Sequence, residues 1–133
     1  MIEEVCMKVF LGGTCSGYKW RDDFIKMIDC DYYNPIVKKW SETDRLKEVA
    51  ERENDDIILY TITSGIKGVY SIAEVIDDSN KRPNKTVLCI LKEGMNKQMY
   101  HSLRAVVNLA RGNGIKVFFS LKDTAEYINR MNK

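Results

Sequence analysis

The chain has 133 residues, 44% of them hydrophobic and 30% charged, with a formal net charge of +2. That length suits one domain, residues 1–133, with a core large enough to fold unaided. The near-neutral balance gives no ground to expect a nucleic-acid or anionic-membrane partner, and no apolar run approaches the ~20 residues a membrane helix needs.

The pattern alternates strand and helix from end to end. Lys8–Leu11 reads as strand one, followed by a glycine turn at Gly12-Gly13-Thr14. Trp20–Met27 reads as a helix, with Trp20, Phe24 and Met27 on one face at helical spacing. Ile28–Tyr33 reads as strand two, stopped by Asn34-Pro35. Ser41–Asn54 predicts a helix whose Leu46, Val49 and Ala50 form a narrow inward stripe. Asp56–Thr61 is apolar and β-branched, so strand three should be buried on both faces. A helix over Ser71–Asp78 and an exposed turn over Ser79–Asn84 lead into strand four, Thr86–Leu91. Gln98–Arg111 is a helix closed by Gly112-Asn-Gly114. Lys116–Phe119 is strand five, and Leu121–Met131 is the last helix, with Leu121, Ala125 and Ile128 inward.

Strands separated by helices imply parallel pairing through right-handed crossovers. Five of them fit an α/β fold with one doubly wound parallel sheet in the order 2-1-3-4-5. Its switch point lies between strands one and three. A pocket is therefore expected at the carboxyl edge of the sheet, formed by residues 12–18, 34–36 and 63–74.

The four cysteines, Cys6, Cys15, Cys30 and Cys89, include no C-x-x-C pair, and the single histidine is His101. No metal site and no cofactor is expected, and reduced thiols fit a cytoplasmic protein. The acidic start Met1–Met7 lacks the apolar stretch of a secretion signal. Cys15, in the first loop, reads as an inert small side chain or as a reactive thiol beside a ligand.

Glu74 is the leading chemical candidate. Ser71-x-x-Glu74 has the spacing of a capping box, in which Glu74 would bond back to the Ser71 N–H. Alternatively, a carboxylate held ionised in the first helical turn could attack an electron-poor sugar carbon. Asp78, four residues on, shares its face and could protonate a leaving base; a solvated helix end is the other reading. Gly12, Gly13 and Thr14 allow a ligand close to the backbone, or make a tight turn. Trp20 could stack on a base or sit in the core, and Asn34-Pro35 could border the pocket or simply end the strand. Gly68, Tyr70 and Ser71 complete the candidate binding set. Arg21 and Asp22 read as solvated charges by default.

Five segments in register carry a resemblance: Lys8-Val-Phe-Leu-Gly-Gly-Thr14, Trp20-Arg-Asp22, Tyr33-Asn-Pro35, Asp56-Ile-Ile-Leu-Tyr60 and Gly68-Val-Tyr-Ser-Ile-Ala-Glu74. Together they resemble the short nucleoside 2-deoxyribosyltransferase-like proteins over about the whole domain. The resemblance implies a flavodoxin-like fold, distantly similar to TIR domains. It implies N-glycosidic bond cleavage with Glu74 as nucleophile and transfer of the sugar to another base or to water. It also implies a homo-oligomer in which a neighbouring subunit helps complete the site. Where transferases carry an Arg-Asp pair before the strand-three aspartate, this chain has Lys47-Glu48. The expected partner is a small nucleoside or nucleotide. The alternative is a non-catalytic module that binds a nucleotide or nucleotide-derived signal in the same pocket.

Overall fold

The computed structural model describes residues 7–15 and 19–132. The elements in chain order are β1 (Lys8–Gly13), α1 (Trp20–Ile25), β2 (Asp31–Tyr33), α2 (Glu42–Asn54) and β3 (Ile57–Ile62). They continue with α3 (Tyr70–Lys81), β4 (Thr86–Ile90), α4 (Lys97–Gly112), β5 (Lys116–Phe118) and α5 (Leu121–Met131). All strand pairs are parallel, in the order β2-β1-β3-β4-β5. The doubly wound architecture expected from the alternation is the one observed, and it is flavodoxin-like, as the resemblance implies. None of the described helices is long and apolar enough to cross a membrane.

Strand alternation divides the core into two layers. Val9, Leu11, Ile57, Leu59, Val87 and Cys89 face Trp20 and Phe24 of α1 and Leu121, Ala125 and Ile128 of α5. Phe10, Ile58, Tyr60, Ile62, Leu88 and Ile90 face Val75 of α3 and Leu103, Val107 and Ala110 of α4. Since β3 and β4 are covered on both sides, their sequences are apolar almost throughout.

Several expected boundaries move. β2 is confined to Asp31–Tyr33, and Met27 is exposed rather than inward. The expected turn at Ser79 is helical, because the Ser79 hydroxyl donates to Ile76 O and accepts from Asn113 at 2.9 Å, which buries it. The larger correction concerns α2. Its apolar stripe faces solvent, with Leu46 56% exposed and Val49 and Ala50 also exposed. No residue of α2 is buried. The face turned toward the protein carries Glu48, Glu51 and Arg52, because the surfaces opposite are themselves charged: Lys8 on β1, and Glu74 and Asp78 on α3. A capping box at Ser41 and Asp44 starts this helix.

Candidate functional site

The carboxyl end of β1 forms the floor of a cleft of about 260 Å³. Gly12 pairs with Tyr60 and Gly13 with Thr61, so both glycines belong to the strand rather than to the expected turn. A Cβ on Gly12 would lie 2.8 Å from the Phe10 ring and 2.9 Å from the Tyr60 ring. Gly13 has φ +112°, and a Cβ there would come within 2.1 Å of the Thr61 carbonyl oxygen. The glycines thus solve a packing problem between strands and at the same time leave bare backbone on the pocket floor.

One wall comes from the segment after β2: Pro35, Ile36, Val37 and Trp40. Trp40 is 53% exposed, an unusual position for a large ring unless a partner covers it. The other wall is the start of α3, with Ser71 and Glu74. Glu48 reaches in from α2, while Cys15 and Arg21 close the side nearest α1.

Glu74 is not a capping residue. α3 begins at Tyr70 with Val69 as its N-cap and no side-chain cap bond, which puts Glu74 in the second turn. Released from capping, the side chain is 9% exposed, and its Oε2 has no hydrogen-bond partner. The Arg52 guanidinium lies 3.4 Å away. Burial pushes the Glu74 carboxyl up to about 8, and the Glu48 carboxyl pushes the same way through its charge and a hydrogen bond; Arg52 pulls it down. The expectation that the helix dipole keeps Glu74 ionised is therefore corrected: desolvation and a neighbouring carboxyl outweigh it.

Asp78 shares the Glu74 face, but it lies behind the pocket and does not line it. It is 0% exposed. It accepts from the Tyr60 hydroxyl at 2.5 Å, from Arg52 Nε at 3.0 Å and from Arg82. A carboxylate so enclosed has no path to a leaving base. Burial, then the Asp78 charge, raises the Tyr60 phenol above its ordinary value. Burial opposes the Arg52 charge, but Asp78, Tyr60 and Glu74 outweigh it, and the Arg52 pKa is raised.

The other sequence candidates separate. Pro35 and Ser71 line the cleft with the two glycines. Trp20 is fully buried and donates from its indole N–H to Thr14 O at 3.0 Å, so the core reading holds for it. Thr14 is also buried, its hydroxyl accepting from the Thr63 N–H and joining the ends of β1 and β3. Asn34 accepts from the Ile36 N–H in a local turn. Gly68 borders a separate groove against α4, and Tyr70 points to solvent. Residues 16–18 of the expected pocket lie outside the described residues, as does Cys6.

Arg21 overturns the solvated reading. It is 6% exposed, donates to Leu11 O at 2.9 Å and Thr14 O at 2.7 Å, and stacks on Trp20 at 4.5 Å. It therefore ties down the end of β1 beneath the pocket. Trp40 and Arg52 are absent from the sequence reading, and Glu48 enters it only through the Lys47-Glu48 pair of the resemblance, with no role in the pocket. Glu48 and Arg52 do carry a signal, being four residues apart on one face of a helix with a poor apolar stripe. Among the described residues no group of His, Cys, Asp or Glu could hold a metal ion. Cys15 is an exposed free thiol on the cleft rim, and Cys30 and Cys89 are buried and free. In comparisons with known families and with curated proteins, the chain matches none.

Proposed function

We propose that this cleft cleaves the N-glycosidic bond of a (deoxy)nucleoside or nucleotide, with Glu74 as nucleophile and Glu48 as the acid that protonates the departing base. The observation that carries this reading is the pairing of two carboxyls, Glu48 and Glu74, in a cleft at the switch point of the sheet. Burial and the Glu48 charge put the proton of this pair on Glu74 in the resting cleft. The proposed reaction therefore requires that it pass to Glu48 when the substrate binds, leaving Glu74 ionised for attack. Retaining glycosidases likewise give the nucleophile and the acid to two different carboxyls, which stand about 5–5.5 Å apart.

The step balances as a double displacement. A Glu74 oxygen bonds to C1′ while the C1′–N bond breaks. The electron pair of that bond goes to the base nitrogen, which takes the Glu48 proton. Water or a second base then attacks C1′, Glu48 takes up the proton it releases, and the Glu74 carboxylate is set free. Arg52 stabilises the ionised form of Glu74, and the bare backbone of Gly12 and Gly13 lets the sugar approach. Ile36, Val37 and the half-exposed Trp40 offer an apolar wall on which a base can stack. The resemblance of five sequence segments to nucleoside 2-deoxyribosyltransferase-like proteins points to the same chemistry.

The test is incubation with a panel of nucleosides and nucleoside monophosphates, followed by chromatography for free base. Release by the wild type and none by Glu74→Gln is expected, together with a glycosyl adduct on Glu74 detected by mass spectrometry after acid quench. Tight nucleotide binding without base release would replace catalysis by the non-catalytic binding reading.

A further inference from the structure

The net charge of +2 conceals a segregation. Residues 85–119 hold six Lys or Arg and one Asp or Glu, whereas the remainder of the chain holds 15 and 18. The positive segment is built around α4, whose 16 residues include no acid. Lys97, Arg104 and Arg111 recur every seven residues and are all exposed. Seven residues fall about 20° short of two full turns, so the three share one face, with neighbours ~10.5 Å apart along the axis. The exposed His101 lies between the first two in sequence.

Lys92, Arg104 and Arg111 are restrained by rings rather than by acids, as Lys47 is over Tyr33. Arg45, Arg52 and Arg82, on the α2–α3 side, are all engaged by carboxylates. Among the described residues, Lys92, Lys97, Arg104 and Arg111 have no ion pair. Arg104 and Arg111 instead lie over the Phe119 ring at 5.3 and 5.6 Å, and Lys92 over the Tyr100 ring at 5.0 Å. An aromatic platform restrains a guanidinium without satisfying its outward N–H groups. The result is a row of positioned, unneutralised donors.

We propose that the α4 ridge, Lys97, Arg104 and Arg111 with Lys92 at its end, binds the phosphate backbone of a single-stranded nucleic acid. The charge complementarity is to a linear polyanion, because the row is one-dimensional and runs ~21 Å from Lys97 to Arg111. A single row on a convex helix follows one backbone, whereas a duplex presents two. Arginine presents paired N–H groups to phosphate oxygens, and no carboxylate on α4 competes with them, Glu93 lying beside Lys92 at the end of the row. This inference is independent of the cleft chemistry, since the residues involved do not line the cleft.

The test is fluorescence anisotropy with a labelled 20-nucleotide oligothymidylate between about 25 and 200 mM NaCl. Four phosphate contacts predict a slope of log K against log salt of about −2.8 for a single strand. Arg104→Gln with Arg111→Gln should weaken binding more than about tenfold at low salt and bring the slope toward about −1.4. Arg45→Gln, which removes an exposed but carboxylate-paired cation, should leave both unchanged. Absence of binding at the lowest salt, or equal binding by the double variant, would overturn the proposal. So would equally tight binding of polyglutamate, which indicates an acidic protein partner, or tighter binding of a duplex of the same length. A circular-dichroism melt of the double variant unchanged from wild type keeps a loss of binding attributable to the ridge.

Discussion

Arg52 on α2 reaches Glu74 on α3 at 3.4 Å, and with the other edge of the same guanidinium it reaches Asp78 at 3.0 Å. One cation thus serves two carboxylates one helical turn apart, and a third, Asp77, at 3.4 Å. Asp78, buried and bonded to Tyr60 and Arg82, fixes where the guanidinium sits. Glu74, facing the cleft, receives what charge remains. α2 has no buried apolar residue to hold it, so these ionic contacts, with Lys8–Glu51 at 2.9 Å, define its position against the rest of the molecule.

Asp78→Asn should therefore act through stability. It leaves the Arg52 and Arg82 charges without their shared counter-ion, at a cost of about 3–5 kcal/mol, the scale of a broken buried pair. Tyr60→Phe removes one neutral donor to the same carboxylate and should cost about 1 kcal/mol. Urea unfolding of both variants checks the order. A fully stable Asp78→Asn protein that has lost base release would instead place Asp78 in the chemistry.

The two floor glycines should differ sharply. Gly13→Ala puts a methyl 2.1 Å from the Thr61 carbonyl oxygen at φ +112°, and backbone cannot yield as a side chain can. That variant should fail to fold or melt far below wild type. Gly12→Ala meets only the edges of two rings, at 2.8 and 2.9 Å, and should cost about 1–3 kcal/mol, the usual range for overpacking. Thermal melts of the two proteins would reverse the argument if Gly12→Ala proved the worse.

The sheet was legible because β3 and β4 are apolar on both faces and turn signals separate them from helices. The cleft was half legible. Glycines at the end of β1 and a carboxylate early in α3 fall at the switch point by topology alone. The rest depends on which surfaces meet. Leu46 and Val49 have the spacing of an inward stripe, but α2 lies against the acids of α3, so its Glu48–Arg52 edge turns inward instead. Ser79-Asn-Lys-Arg reads as a turn until the Asn113 side chain that bonds Ser79 is known. Arg21 reads as solvated because its acceptors are backbone carbonyls, which carry no sequence signature.

A second carboxyl pair, at the opposite edge of the sheet, should make stability depend on pH. Burial pushes Asp55 up to about 8, and the hydrogen bond and charge of Glu51 push the same way. An acid whose pKa is raised by folding is protonated in both states below about pH 4. Above that, only the unfolded chain releases the proton, so stability falls as pH rises toward 8. Asp55→Asn removes this contribution, and the variant should gain on the wild type progressively from about pH 4 to pH 8. Denaturation midpoints in that window are the measurement; a constant difference between the two proteins would count against a shared proton.

The Glu48–Glu74 pair allows the two proposed roles to be separated. With Glu74 pushed up to about 8, the same sign applies, and Glu74→Gln should be more stable than wild type near pH 8 and equal to it below about pH 4.5. That variant keeps the shape of the side chain and loses the nucleophile, so it should release no base at any pH. Glu48→Gln should behave differently. It removes the neighbouring charge that raises Glu74, so Glu74 ionises at lower pH, while the departing base loses its acid. Base release from an ordinary nucleoside should fall by about 10²–10⁴, the usual range for a general acid. A deoxyribosyl phenolate whose leaving group needs no proton should retain most of its rate, with the optimum moved to lower pH. Steady-state rates of both variants on both substrates between pH 5 and 9 make the comparison. If Glu48→Gln lost the activated substrate as completely as the natural one, Glu48 would be holding Glu74 in place rather than protonating the base.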